Sequence, residues 1–248
     1  MFTSAQETQL NLINPANQAA CPLMARRLSS RRERMHEAIT ILPQASRLAL
    51  AYAPASKRPC QLALLALDAR LAELARGASE PVLAQLRLAW WRDLLGKPVA
   101  EWPQGDPVVT GLQRCAVASG FVCLVDGWEA LATTENLDEG TVDAFSEGRA
   151  KAWASLAASG GELATRAHRA GRVWALGDLA GHVTRAEERA TVLTFAENGN
   201  RRVALPKAYR ALSVLAGLGA RSLSKGGSPL LSGPGDLAAA MRLGIFGR

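Results

Sequence analysis

Carboxylates, histidines and cysteines are the side chains that could do chemistry in this chain. A Mg²⁺ site built on helices needs two or more carboxylates at i, i+3 or i, i+4, so that their oxygens converge on one octahedral ion. Asp68 and Glu73 are five residues apart on one helix pattern. That sets them about 140° apart around the axis, so they do not converge. Asp178 stands alone in Leu176-Gly177-Asp178-Leu179. Glu187 and Glu188 precede Arg189 and read as the solvated start of a helix, where negative charge meets the positive dipole end. His36, His168 and His182 form no i, i+4 pair and no metal-protease pattern. Cys21, Cys60, Cys115 and Cys123 show no metal-knuckle spacing and no two-cysteine redox motif, and read as free thiols in a reducing compartment. No metal site is expected, and no catalytic residue is assigned.

The elements that must carry these residues are helical. Alanine supplies 46 of 248 residues while aromatics are 5%, which favours helices over strands. At 48% hydrophobic and 21% charged, the chain is not of disordered composition. The net charge is +7, and residues 1–34 hold five arginines in one short run, at 26, 27, 31, 32 and 34. Residues 1–34 read as a disordered Arg-rich tail, and residues 35–248 as one folded domain of only mild positive charge. Without a helix-turn-helix or zinc pattern, that charge gives no strong nucleic-acid signal. No apolar run approaches the ~20 residues that span a bilayer, and no secretory signal opens the chain, so a cytoplasmic protein is expected.

Helices are expected over residues 36–52 with a break at Pro43, then 57–76, 80–95, 107–118, 121–132, 139–158, 162–182, 184–196, 205–224 and 236–246. In the second, Cys60, Leu64, Leu67, Leu71 and Leu74 make one stripe at spacings of 4, 3, 4 and 3. Leu62 and Leu65 widen it, which places this helix centrally. Asp106 before Pro107, and Asp138, read as N-caps. Gly120 reads as a break, and Gly171 and Gly177 as interruptions. One face of the 139–158 helix carries Val142, Phe145, Arg149, Ala152 and Leu156.

Arg47-Leu-Ala-Leu-Ala-Tyr-Ala-Pro54, Lys57-Arg58, Ala63-Leu-Leu-Ala-Leu67, Glu80-Pro81 and, above all, Gln85-Leu-Arg-Leu-Ala-Trp90-Trp91-Arg92-Asp93-Leu94 resemble the squalene/phytoene synthase family. The likeness continues more weakly through Leu124-Val-Asp-Gly-Trp128, Glu147-Gly-Arg149 and Leu205-Pro206-Lys-Ala-Tyr-Arg-Ala-Leu212. It spans residues 40–224. The resemblance implies a single all-α bundle of the isoprenoid synthase type. It also implies a prenyl diphosphate or lipid ligand. The family's Asp-rich metal motif would fall on Ala72, Glu73 and Arg76, and its second motif within 174–190, where Asp178 is the only Asp. An Ala and an Arg do not ligate Mg²⁺.

The chain therefore reads as a squalene/phytoene-synthase-like protein without Mg²⁺-dependent prenyl transferase activity, binding a prenyl or lipid chain or acting as an assembly factor. The Trp-Trp-Arg-Asp block is similar to the branch that contains respiratory complex I assembly factors. That branch implies a protein partner in a respiratory complex and peripheral contact with the inner membrane. Arg58, Arg70, Arg76, Arg87, Arg92 and Asp178 are the candidate ligand-binding residues, with Arg58, Arg70, Arg87 and Arg92 ringing a mouth. Two alternatives stand beside this reading. One is an active head-to-head prenyl transferase, which would require Mg²⁺; the other is a helical nucleic-acid-binding protein using the basic arm. Of Trp90 and Trp91, which point about 100° apart, at least one is expected in the core.

Overall fold

A computed structural model describes residues 38–77, 81–115, 118–157, 161–197 and 203–247. The Arg-rich tail lies outside the described residues. Every regular element among them is helical, and no strand occurs. The α-helices are α1 (Gln44–Ala51), α2 (Arg58–Gly77), α3 (Pro81–Gly96), α4 (Pro107–Leu112), α5 (Ala118–Thr133), α6 (Glu139–Ser155), α7 (Gly161–His182), α8 (Ala186–Glu197), α9 (Arg210–Ser224) and α10 (Pro234–Phe246). Successive neighbours pack in the order α3, α5, α6, α7, α9, α10, and α2 lies against α4 and α5.

Helix α2 is central for the reason its stripe gives. Leu64, Leu67 and Leu71 are fully buried, Leu62 and Leu65 join them, and burial runs unbroken from Gln61 to Ala69. Pro43 sits immediately before α1 as its cap residue. Asp106 caps α4 by accepting from the amides of Val108 and Val109 at 2.7 and 3.2 Å. Asp138 caps α6 through the Thr141 amide at 2.7 Å. Each cap satisfies an N-terminal amide that the helix itself leaves free.

Three expectations need correction. Helix α4 ends at Leu112 rather than 118. Gly120 lies inside α5, not between two helices, and Gly171 and Gly177 lie inside an unbroken α7. These glycines mark close helix crossings rather than ends. A Cβ on Gly171 would come within 3.0 Å of the Ala150 Cα, and one on Gly177 would overlap the Gly219 backbone of α9. Helix-interior glycine costs about 1 kcal/mol of propensity, which contact between backbones offsets here. The third correction concerns the thiols. Cys60 on α2 and Cys115 after α4 form a disulfide, with Cα atoms 5.6 Å apart across 55 residues of sequence. The reading of free thiols in a reducing compartment loses its basis for this pair. Cys123 is free and half-buried.

No helix among the described residues is long and apolar enough to cross a membrane.

Candidate functional site

Two buried charged side chains from different helices, Asp68 and Arg149, meet inside the bundle, with the partly buried Asp178 beside them. Asp68 lies in the middle of the buried stretch of α2, and Arg149 on the apolar face of α6 beside Phe145 and Ala152. Asp178 lies on α7. Arg149 donates from Nε to Asp68 Oδ1 at 2.9 Å and from Nη2 to Asp68 Oδ2 at 2.8 Å. Its remaining arm, Nη1, donates to Asp178 Oδ2 at 2.7 Å. Trp128 of α5 donates its indole N–H to Asp68 Oδ1 at 2.8 Å. Four helices thus contribute to one network.

An aromatic box encloses the guanidinium. Its carbon lies 4.3 Å from the Trp174 ring centre, 4.7 Å from Phe145 and 5.2 Å from Trp128. Only 3% of the Arg149 side chain is exposed. Burial works against its charge, but the Asp68 and Asp178 carboxylates outweigh burial and hold its pKa above the ordinary arginine value. Burial is also the largest influence on Asp68, pushing its carboxyl up against the pull of Arg149 and Trp128. At Asp178 the network reaches the surface. His182, one turn on and 63% exposed, places Nδ1 2.7 Å from the Asp178 carbonyl and 3.4 Å from its carboxylate.

This arrangement does not fit the divalent ion that the resemblance implies. The two carboxylates that face one another across the bundle are already bonded to a fixed cation, which would repel a second one. Among the described residues no group of three or more His, Cys, Asp or Glu side chains could hold a metal. Ala72, one turn beyond Asp68 on the same face, is buried and offers no ligand.

The expected ring of arginines is dispersed. Arg58 is bonded to the carbonyls of Ala51 and Ala53 at 3.2 and 2.9 Å and so secures the end of α1. Arg76 is exposed in the last turn of α2. Arg92 clamps α3 to α5 through Asp126, at 2.7 Å, and Glu129. Those two carboxylates, Glu129 foremost, raise its pKa. Arg70 and Arg87 do come together. With Leu74, Trp90, Trp91 and Asp106 they line an open cleft of about 260 Å³ between α2, α3 and the start of α4. Trp91 is buried and Trp90 is half exposed, their rings packed edge to face at 5.1 Å. Asp93 is exposed and has no ion pair among the described residues.

The sequence offers Asp68 as a metal ligand that lacks a converging partner, and Trp128 and Arg149 only within the resemblance and a helix face, so none of the three is a candidate binding residue on sequence grounds. The signal was a charge on an apolar helix face: Asp68 between Leu64 and Leu71, and Arg149 between Phe145 and Ala152. Opposite charges on two such faces point to a buried pair.

Set against known proteins, the chain matches no protein-family model, no curated protein and no solved structure.

Proposed function

We propose that this chain is a squalene/phytoene-synthase-like protein that has given up Mg²⁺-dependent prenyl transfer, and that it serves by binding a lipid or prenyl chain or as an assembly factor. One observation supports the loss of Mg²⁺-dependent transfer: Arg149 engages both carboxylates, Asp68 and Asp178, inside the bundle. Ionising an allylic diphosphate inside an apolar bundle requires a divalent ion to neutralise the leaving group, a stabilisation of several kcal/mol. Here the carboxylate oxygens that would recruit that ion are spent on a guanidinium. The interior around them is filled by Trp128, Phe145 and Trp174. Of the residues at the resemblance's metal positions, Ala72 and Arg76 supply no oxygen ligand, and Glu73 stands as a single, largely exposed carboxylate.

The test is incubation of the purified chain with farnesyl or geranylgeranyl diphosphate and Mg²⁺. The outcome supporting the proposal is no C30 or C40 hydrocarbon and no release of diphosphate. Steady turnover that needs Mg²⁺ and disappears in Asp178→Ala would overturn it and establish the active prenyl transferase instead.

A further inference from the structure

Helix α3 shows water an unusual face. Val82, Leu83, Leu86 and Trp90 are 59, 39, 64 and 49% exposed. At 100° per residue they fall within an arc of about 100°, one continuous stripe where a surface helix normally carries polar groups. A contiguous exposed apolar strip marks a place where something else sits.

The stripe runs into the cleft. Trp90 belongs to both, and Leu74 and Trp91 extend the apolar lining inward. Two cations stand at the same place. Arg87 is exposed and has no ion pair among the described residues. Arg70 is loosely held: its Nη1 is 3.5 Å from Asp106 and its Nε, buried without a hydrogen-bond acceptor among the described residues, is 4.0 Å from Glu73. Asp106 spends its other carboxylate oxygen on the Val108 and Val109 amides. The residues lining the cleft therefore carry two positive charges and one negative. Arg70 is also two residues from Asp68, about 200° round α2, so the cleft opens on the side of that helix away from the Arg149 network.

We infer that this cleft binds an amphiphile with a singly charged anionic head, the head on Arg87 and Arg70 and the alkyl chain along Trp90, Leu86, Leu83 and Val82. The inference rests on the lipid-binding reading above and names its site and ligand class. Asp106 disfavours a doubly charged head, so the site selects a phosphodiester or carboxylate over a diphosphate. Arginine suits such a head because its planar donors match paired oxygens. Tryptophan suits the boundary between chain and water. The same chemistry is offered by a free single molecule or by a lipid still in a bilayer.

The full chain is titrated with dihexanoyl phosphatidylglycerol below its micelle concentration, followed by tryptophan fluorescence. In parallel it is sedimented with phosphatidylcholine vesicles, with and without phosphatidylglycerol. Binding is expected in at least one anionic arm, and which arm it is identifies the source. It should weaken at least tenfold in Leu86→Glu and in Arg87→Glu, both exposed positions, and stay unchanged in Ile245→Glu on the exposed face of α10. Melting curves confirm that the variants are folded. No binding in either arm overturns the site, as does binding that Leu86→Glu and Arg87→Glu leave intact, which would trace it to the basic run at 26–34 or another face. Mg²⁺-dependent turnover in the preceding assay would refute the non-catalytic reading without touching these variants, so the two failures are separable.

Discussion

The guanidinium of Arg149 grips the carboxylate of Asp68 with two parallel hydrogen bonds, 2.9 and 2.8 Å long, in the interior of the bundle. Removing one partner of such a pair strands an uncompensated buried charge, which costs about 3–5 kcal/mol. Arg149→Met is expected to lose that much in urea unfolding. Arg149→Lys should not restore it, since an ammonium lacks the planar fork and the ring stacking. The double variant Asp68→Asn/Arg149→Met should be more stable than Arg149→Met alone. A double variant whose losses simply add would show that the two side chains are not coupled.

The crossing of α7 and α9 rests on Gly177 and Gly219, where neither backbone leaves room for a Cβ. Gly177→Ala is expected to cost about 1–3 kcal/mol by overpacking. Gly96→Ala, whose added Cβ would meet no neighbouring element within 4 Å among the described residues, is the control and should be near neutral. The two melting temperatures decide the matter.

Asp236, in the first turn of α10, is almost fully buried and accepts from Lys225 at 2.6 Å, Ser232 Oγ at 2.7 Å and Arg221 at 3.1 Å. Burial pushes its carboxyl up, but Lys225, Ser232 and Arg221 outweigh burial and hold it well below the usual carboxylate range. A depressed folded pKa gives stability that is complete above the unfolded value of about 4 and is lost as the pH falls below it. Asp236→Asn should cost about 2 kcal/mol at neutral pH and flatten this part of the acid limb. Unfolding free energies between pH 2 and 6 measure both.

Tyr209 works at the other end of the pH scale. Burial pushes its phenol up to about 12. A raised folded pKa gives stability that is present below the unfolded value of about 10 and is lost as the pH rises through the folded one. The phenol oxygen has no hydrogen-bond partner among the described residues. Tyr209→Phe should therefore leave neutral-pH stability unchanged or raised, and remove a loss expected of the parent between pH 10 and 12. An unchanged alkaline limb in the variant contradicts this.

What the sequence made legible was local. The spacing of Leu64, Leu67 and Leu71 places the core face of α2, and Asp106 and Asp138 announce their helix starts, because each signal lies within one or two turns of the chain. The split of Trp90 and Trp91 between surface and core follows from helix geometry alone. The rest depends on neighbours that the sequence does not name. Gly177 reads as a helix breaker until Gly219 of another helix lies against it. Cys60 and Cys115 show no motif because 55 residues separate them. Arg149 is 81 residues from Asp68 and 29 from Asp178, so their convergence is a property of the packed bundle.

Titration calorimetry with Mg²⁺ in the presence of inorganic diphosphate tests the central claim most directly, because it asks whether Asp68 and Asp178 can recruit the ion. The account predicts no Mg²⁺ binding to the parent chain beyond that of diphosphate itself, and no change on Asp178→Asn. Saturable Mg²⁺ binding that Asp178→Asn abolishes would contradict it, showing that these carboxylates leave Arg149 to hold a metal.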